Sequence, residues 1–273
     1  MATELLPRVG PEALPGITAL CRSAIGQALS SSELDRALFS NDQRPLVRFA
    51  RGKGLVVTVR DGADGYVRLL AVDPTCRGKG YGHRLVEQAE RDLEGTRTIT
   101  VGADPPYFLF PGVPSSETTL CYLLERHHYS REEANFNVVI DLSELPPGHA
   151  QAVEPSDSER AQVESWAIEH WPNWRLEFLR AFDQGSLLLA RDESGIAAAC
   201  AYDVNRSATL GPIAARPELI GKRASRALLR GTLLRMRDLG YERVEVLWVG
   251  PLVPYFEMGG TIGPIFFVYR KHR

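Results

Sequence analysis

The sequence lacks the long apolar runs that mark a membrane protein. None of its apolar stretches approaches the roughly 18 residues that a membrane-spanning helix needs. Its first residues, MATELLPRVG, also do not join a basic segment to an apolar one, as a signal peptide does. We therefore expect no membrane partner.

An excess of one charge is missing as well. The 273 residues carry 32 lysines and arginines against 34 aspartates and glutamates, a net charge of −2 with neutral histidines. A protein that binds the nucleic-acid backbone through its charge has a basic face or a basic domain. The composition therefore indicates no nucleic-acid partner.

Closely spaced cysteines are the third absence. The chain has four cysteines, Cys21, Cys76, Cys121 and Cys200, and they are scattered rather than placed at metal-site or disulfide-framework spacings. Reduced thiols are typical of cytoplasmic proteins, so we expect a cytoplasmic location and no metal site. Cys76 lies in a glycine-rich segment, where a small loop residue is favoured over a nucleophile.

That glycine-rich segment is the most informative part of the chain. An apolar run from Leu69 to Val72 stops at Asp73-Pro74, and the segment Arg77-Gly78-Lys79-Gly80-Tyr81-Gly82 follows. Leu85, Val86, Ala89 and Leu93 then recur at helical spacing. A strand, a glycine loop and a helix N-terminus together form a backbone cradle for phosphate, because glycine permits close approach and the helix end is positive.

The spacing separates this loop from two better-known phosphate loops. A Walker A loop requires Lys-Ser/Thr after its last glycine, where this chain has His83-Arg84. The dinucleotide fingerprint requires Gly-x-Gly-x-x-Gly, whereas the glycines here are Gly78, Gly80 and Gly82. The remaining pattern, Arg-x-x-Gly-x-Gly after a strand ending in Val-Asp-Pro, resembles the acetyl-CoA loop of the GCN5-related N-acetyltransferases, the GNAT family.

The resemblance implies an acetyl-CoA site and a reaction. Acetyl-CoA would be the co-substrate, and its acetyl group would pass to a primary amine by direct attack. The main-chain N–H groups near Leu70 and Val72 would bind the pantetheine arm and the thioester. The loop residues that would bind the remainder of the coenzyme are Arg77, Gly78, Lys79, Gly80, Tyr81 and Gly82.

The same block occurs a second time, 143 residues further along the chain. Pro217, Gly221 and Lys222 align without gaps on Pro74, Gly78 and Lys79. A repeat this long predicts two domains rather than a solenoid. We predict an N-terminal domain over 1–145 and a C-terminal domain over 149–273, joined by the linker Leu145-Pro146-Pro147-Gly148.

The fold class follows from the order of predicted elements and from the resemblance. Each half reads as β-α-α-β-β-β-α-β-α-β, the order that the GNAT resemblance implies. We therefore expect an α/β (α+β) protein with two tandem GNAT-like domains. Each would have a mixed, mostly antiparallel sheet flanked by helices.

The second copy of the loop is degenerate. Ile220, Arg223 and Ser225 align on Arg77, Gly80 and Gly82. A side chain at a glycine position obstructs contact between the backbone and a diphosphate, so we expect the coenzyme in the first half. The helix that follows is rich in arginine and could be a phosphate patch, although a solvated face is favoured; its arginines are Arg223, Arg226, Arg230 and Arg237.

No catalytic residue can be assigned from the sequence. The family often has a tyrosine acid in a Phe-Tyr-Glu-Lys-x-Gly pattern on its last helix. Leu124 takes the tyrosine's place in the first half, and Phe256 does so in the second. Tyr122 lies about 200° around the helix from Leu124 and is expected to face elsewhere.

Two functions follow from these patterns. The first is an acetyl-CoA-dependent N-acetyltransferase that acts on a small-molecule amine. The second is a non-catalytic acyl-CoA-binding or regulatory module, which the missing tyrosine favours. Aromatic clusters at 105–112 and at Trp166, Trp171 and Trp174 could line an acceptor site or serve packing. A monomer and a homodimer both remain open.

Overall fold

The chain folds into two units; unit 2 is one continuous stretch of the chain, whereas unit 1 is built from two. The computed structural model describes residues 6–26 and 29–273. Unit 1 comprises Met1–Asn135 together with Ile265–Arg273, and unit 2 comprises Phe136–Pro264. The last strand of each sequence half therefore contributes to the unit built mainly from the other half.

Unit 1 contains the first four α-helices and most of the first six strands. Its helices are α1 (Leu14–Ala24), α2 (Ser31–Leu38), α3 (Tyr81–Asp92) and α4 (Thr118–Arg126). The first strands are β1 (Leu46–Ala50), β2 (Gly54–Asp61), β3 (Asp64–Val72), β4 (Thr98–Val101), β5 (Val113–Pro114) and β6 (Ser130–Asp141). From Phe136 onward, β6 belongs to unit 2.

Unit 2 contains the remaining helices and strands. Its helices are α5 (Arg160–His170), α6 (Arg175–Asp183), α7 (Arg223–Asp238) and α8 (Val253–Phe256). The strands are β7 (Leu187–Asp192), β8 (Gly195–Tyr202), β9 (Thr209–Ala215), β10 (Arg243–Val246) and β11 (Thr261–His272). From Ile265 onward, β11 belongs to unit 1.

The two units have the same sheet topology. In unit 1 the order is β1-β2-β3-β4-β11, with β5 also paired to β11. In unit 2 the order is β7-β8-β9-β10-β6. One central pair in each unit is parallel, β3–β4 or β9–β10, and the other pairs within each unit are antiparallel. The predicted fold class, a mixed and mostly antiparallel sheet flanked by helices, is confirmed.

The exchange of end strands separates the structural units from the sequence halves. Residues 138–141 pair through β6 with β10, and residues 269–272 pair through β11 with β4. Two copies of one topology offer equivalent sheet edges, so a terminal strand can complete either copy. The units consequently differ from the proposed domains 1–145 and 149–273 in where they place these two strands.

Each face of the unit 1 sheet is covered by a pair of helices. Helices α1 and α2 bury one face, with a core that includes Ile17, Leu34 and Phe266. Helices α3 and α4 bury the other face with the predicted apolar stripe of α3 and with Leu124 of α4. Among the residues that the structure describes, there is no helix with the length and apolarity to cross a bilayer.

The first prediction tests whether the end of the chain completes unit 1. Phe266 is 1% exposed and lies in the core beneath α1 and α2. Phe266→Ala should lower the free energy of unfolding by about 3–5 kcal/mol, because a large buried ring is removed. Hydrogen exchange should also quicken in β4, which pairs with β11.

Ile265 supplies the matched control, because it is adjacent in sequence and 44% exposed. Ile265→Ala should change the unfolding free energy by about 0.5 kcal/mol or less. Equal effects of the two substitutions, with β4 unaffected, would show that β11 does not stabilise unit 1.

Candidate active site

A gap opens in the unit 1 sheet where β3 and β4 part. The two strands pair in parallel from Asp64–Thr98 to Val67–Val101. The last bond of this ladder runs from the N–H of Gly102 to the carbonyl of Val67, at 2.9 Å. The chain then turns away at Gly102, which has a positive φ of 72°. Strand β3 continues to Val72 and leaves one backbone edge free.

A β-bulge at Arg68 sets what this free edge presents. Val67 lies opposite Thr58 of β2, but Leu69 lies opposite Val57, so Arg68 is the extra residue. Consecutive side chains normally alternate between faces of a sheet. Here Arg68 reaches Ala37 of α2, and Leu69 packs in the core on the same side. The bulge therefore reverses the alternation for the remainder of β3.

The reversal turns the amides of Leu70 and Val72 towards the gap. The N–H of Asp73 donates to the carbonyl of Lys53 at 2.9 Å, on the β2 side of the strand. Neighbouring amides in a strand point to opposite sides, so those of Val72 and Leu70 point away from β2. These are the two amides that the GNAT resemblance predicts to bind the pantetheine arm.

The loop after β3 is shaped by one carboxylate and two glycines. The side chain of Asp73 accepts hydrogen bonds from the hydroxyl of Thr75 at 2.5 Å and from its N–H at 2.9 Å. These bonds hold the pKa of Asp73 below its usual value. Gly78 and Gly80 both have positive φ, 74° and 80°, a conformation that other residues adopt only with strain.

Helix α3 begins directly after this loop, and the free amides of its first turn point towards the loop. Gly80 is the N-cap, and the N–H of Arg84 donates back to its carbonyl at 3.2 Å. The amides of Tyr81, Gly82 and His83 precede this first helical bond, so the helix itself offers them no carbonyl. Together with the positive end of the helix, they form an anion-binding surface.

Gly82 is a glycine for a different structural reason, which is helix packing. It lies within α3, and a Cβ atom at this position would be 2.9 Å from Cδ2 of Leu123 on α4. The missing side chain lets α3 and α4 approach each other. Unlike Gly78 and Gly80, Gly82 does not have a positive φ.

The cations of the loop are held by backbone carbonyls. Arg77 donates from Nη2 to the carbonyl of Ala24 at the end of α1, at 3.1 Å. Lys79 donates from Nζ to the carbonyl of Thr75 at 2.8 Å. Arg84 lies over the ring of Tyr81, with its Cζ atom 5.0 Å from the ring centroid. The predicted residues Arg77, Lys79 and Tyr81 are thus gathered at one helix end.

The corresponding loop of unit 2 has lost part of this geometry. Gly221 keeps the positive φ of its counterpart Gly78, at 72°. Arg223 replaces Gly80 and becomes the first residue of α7, whose N-cap is Lys222 in an extended conformation. The helix consequently begins one residue earlier than α3 does. Without a glycine at this position, the left-handed turn of unit 1 is not formed.

A buried ion pair that sequence reasoning missed holds the bulge in place. Arg68 donates from Nε to Oδ2 of Asp104 at 2.5 Å, and both side chains are fully buried. The guanidinium also donates to the carbonyl of Ala37 and to Oε1 of Gln43. Its Cζ atom is 4.5 Å from the ring centroid of Tyr107. The available signal was a charged residue within the apolar run of β3.

The ion pair has a clear electrostatic cost. Burial raises the pKa of Asp104, and the neighbouring Arg68 opposes that shift. Oδ1 of Asp104 has no hydrogen-bond partner among the described residues. Two buried charges compensate each other only while both are present. The pair thereby ties β3 and α2 to the loop that follows β4.

Helix α4 carries no tyrosine towards the gap. Leu124, at the family's tyrosine position, is 1% exposed, and Tyr122 is 63% exposed. Tyr269 of β11 lies opposite Val101 and donates its hydroxyl to Oε1 of Glu125 at 3.0 Å. Burial raises the pKa of Tyr269, so this hydroxyl stays protonated at neutral pH.

The two aromatic clusters are partly buried by packing. Leu109 and Phe110 are buried in the core beside α1 and α2. In unit 2, Trp166 is 7% exposed, and the rings of Trp171 and Trp174 stack with centroids 5.1 Å apart. Packing, one of the two interpretations left open, accounts for these contacts.

Comparisons with known proteins agree with the geometry. Residues 27–106 match the model of the acetyltransferase (GNAT) family. No curated protein matches the chain. A GCN5-related N-acetyltransferase from Sphaerobacter thermophilus is similar in structure, with a TM-score of 0.69 and 20% identity. It is matched over 98% of this chain and 94% of that one.

Two further solved structures extend the likeness to both units. A tandem GNAT protein from the clavulanic acid biosynthesis pathway has a TM-score of 0.64 and 14% identity, with 97% of each chain covered. The GCN5-related glucosamine N-acetyltransferase region of a fungal multi-domain β-N-acetylglucosaminidase has a TM-score of 0.77 and 18% identity. The match covers 99% of this chain and 38% of the fungal one. At these identities the likeness establishes the fold.

The second prediction tests the Arg68–Asp104 pair. Arg68→Met should lower the free energy of unfolding by about 3–5 kcal/mol, because it leaves the Asp104 charge buried and uncompensated. Adding Asp104→Asn should recover part of that loss, since the uncompensated charge is then removed. Denaturant unfolding of the single and double variants measures both effects.

Arg51→Met is the control, since Arg51 is an exposed turn residue. Its expected effect on the unfolding free energy is about 0.5 kcal/mol or less. A cost for Arg68→Met as small as that of the control would mean that the pair does not hold the bulge.

Proposed function

Because the chain carries a domain of the GNAT acetyltransferase family and has the fold of tandem GNAT proteins, we propose that it is an acetyl-CoA-dependent N-acetyltransferase. The proposed acetyl-CoA site is in unit 1, and the acceptor is the primary amine of a small molecule. One observation carries the proposal: the free edge of β3 leads directly into the glycine loop and the N-terminus of α3.

The residues present suit the parts of acetyl-CoA. The pantetheine arm offers amide groups that can pair with the free amides of Leu70 and Val72. The diphosphate is an anion, which the amides at the start of α3 and the charges of Arg77 and Lys79 favour. Gly78 and Gly80 supply the left-handed turns that bring this loop to the helix end.

The residues of the chain have distinct tasks in the proposed reaction. Acetyl-CoA, when bound, supplies the thioester that a neutral amine attacks. The bulge at Arg68 orients the amides of Leu70 and Val72 so that they can donate to the thioester oxygen as negative charge develops on it. Since Leu124 replaces the tyrosine acid, we propose that solvent exchanges the protons with the amine and the departing thiol.

A non-catalytic acyl-CoA-binding module is the second candidate, and the buried Leu124 favours it. Thiol release from acetyl-CoA, measured against a panel of small amines, separates the two. An enzyme releases free thiol only when a suitable amine is present. Binding of acetyl-CoA without release of thiol with any amine would support the second candidate.

We further propose a cytoplasmic location, on the basis of the scattered cysteines. We also propose that the chain has two domains, 1–145 and 149–273, and that unit 2 is a structural partner of unit 1.

The third prediction concerns Gly80. Gly80→Ala should weaken acetyl-CoA binding by at least tenfold, because alanine resists a φ of 80° and the loop then moves away from the helix end. Titration calorimetry measures the dissociation constant, and a melting curve on the same sample measures stability.

Gly62 offers a matched control for this substitution. It also has a positive φ, 56°, and an added Cβ atom would meet nothing within 4 Å, but it lies in the turn between β2 and β3, away from the loop. Gly62→Ala should lower the melting temperature comparably and leave acetyl-CoA affinity unchanged. Normal affinity in Gly80→Ala would overturn the assignment of the loop.

The fourth prediction concerns proton transfer. Turnover should rise with pH, because a protonated amine cannot attack the thioester and the neutral fraction of the acceptor amine increases with pH. Tyr122→Phe should change turnover by less than about tenfold, or about 1.4 kcal/mol, since Tyr122 is exposed. The pH–rate profiles of both proteins provide the measurement. A larger loss with unchanged acetyl-CoA binding would identify Tyr122 as the missing acid.

A further inference from the structure

A charged cavity lies in unit 2, along the side of α7. Its volume is about 340 Å³, and the linker residues 146–149 form one wall. Arg223, Arg226 and Arg230 of α7 line another, and Glu257 contributes the one carboxylate of the lining. Positions three and four apart share one face of a helix, so the three guanidinium groups point the same way.

Arg230 distinguishes this cavity from an ordinary basic surface. It is only 8% exposed, and its Nη1 atom has no hydrogen-bond partner among the described residues. Its Nε atom donates to the carbonyl of Gly148 at 3.1 Å. The prediction of a solvated face on this helix is therefore wrong for Arg230. Leaving a buried donor of a charged group without a partner costs free energy. The site therefore favours a ligand that offers a hydrogen-bond acceptor to Arg230.

The linker is fixed against α7 at several points. The N–H of Gln151 donates to the carbonyl of Ala227 at 3.0 Å. Gly231 permits close contact, because a Cβ atom there would be 2.6 Å from Cβ of Ala152. These contacts fix the chain directly after residues 146–149 against α7.

The charge balance of the cavity favours an anion. Arg226 is paired with Glu257, with 3.3 Å between Nε and Oε2. Arg223 and Arg230 then leave an excess of positive charge. Guanidinium groups bind phosphate oxygens through paired donors, and arginine suits this task better than lysine.

We propose that this cavity binds a phosphate group, with Nη1 of Arg230 as its buried donor and with Arg223 and Arg226 at the rim. The site is separate from the proposed acetyl-CoA site and does not depend on that proposal, because all of its lining residues belong to unit 2. Free phosphate and the phosphate of a small metabolite share this chemistry.

The test uses the full chain and inorganic phosphate. Titration in a phosphate-free buffer should show saturable binding, and the melting temperature should rise with phosphate concentration. Arg230→Met keeps an aliphatic side chain but removes the guanidinium group, so the affinity for phosphate should fall at least tenfold. Arg226→Met, at an exposed position, should weaken binding severalfold and serves as the test should Arg230→Met not fold.

Arg237→Met is the matched control. Arg237 is on the same helix, with its side chain 49% exposed and 3.6 Å from Asp238. This variant should bind phosphate as the natural chain does. Absence of saturable phosphate binding, or equal binding by the Arg226, Arg230 and Arg237 variants, would overturn the proposal.

Competition identifies the source of the phosphate. Coenzyme A and dephospho-coenzyme A are each titrated against bound inorganic phosphate. Displacement by neither coenzyme assigns the cavity to free phosphate or another small phosphate ester. Displacement that Gly80→Ala abolishes would place the phosphate at the acetyl-CoA loop of unit 1 and contradict the proposal. Displacement that persists in Gly80→Ala would place the coenzyme in unit 2 and contradict the separation of the two sites.

Discussion

The bulge at Arg68 is the constraint on which the geometry of unit 1 depends. One extra residue in β3 changes which amides face the gap, and β4 ends just where that change begins. A bulge leaves backbone groups without their ladder partners, so it persists only where its surroundings hold it. Here the surroundings are a buried ion pair with Asp104 and hydrogen bonds to α2 and Gln43. The gap, the free amides and the glycine loop all follow from this local change in register.

The sequence predicted the parts of the fold that depend on local pattern. The apolar stripe of α3 was predictable, because periodicity is a property of neighbouring residues. The exchange of β6 and β11 was not readable, because either strand fits either sheet edge. The Arg68–Asp104 pair joins residues far apart in sequence, and no local pattern reports such a contact.

The two units show how a repeated loop diverges through a few positions. Gly221 preserves one left-handed turn, whereas Arg223 removes the other and lengthens its helix by a residue. Unit 2 also has a feature that unit 1 lacks in the described residues, an arginine buried under a linker with an unpaired donor. A changed loop at the helix end does not exclude an anion site elsewhere on the helix, because a helix face and a helix end are independent ways to bind negative charge.

The stoichiometry of acetyl-CoA binding tests the central claim most directly. Titration calorimetry of the full chain should give one site per chain, because unit 1 alone, among the described residues, combines a free strand edge with both left-handed glycines. Substituting Ile220 and Arg223 in unit 2 should leave that site intact. Two sites of equal affinity, or a single site lost through the unit 2 substitutions, would contradict the account.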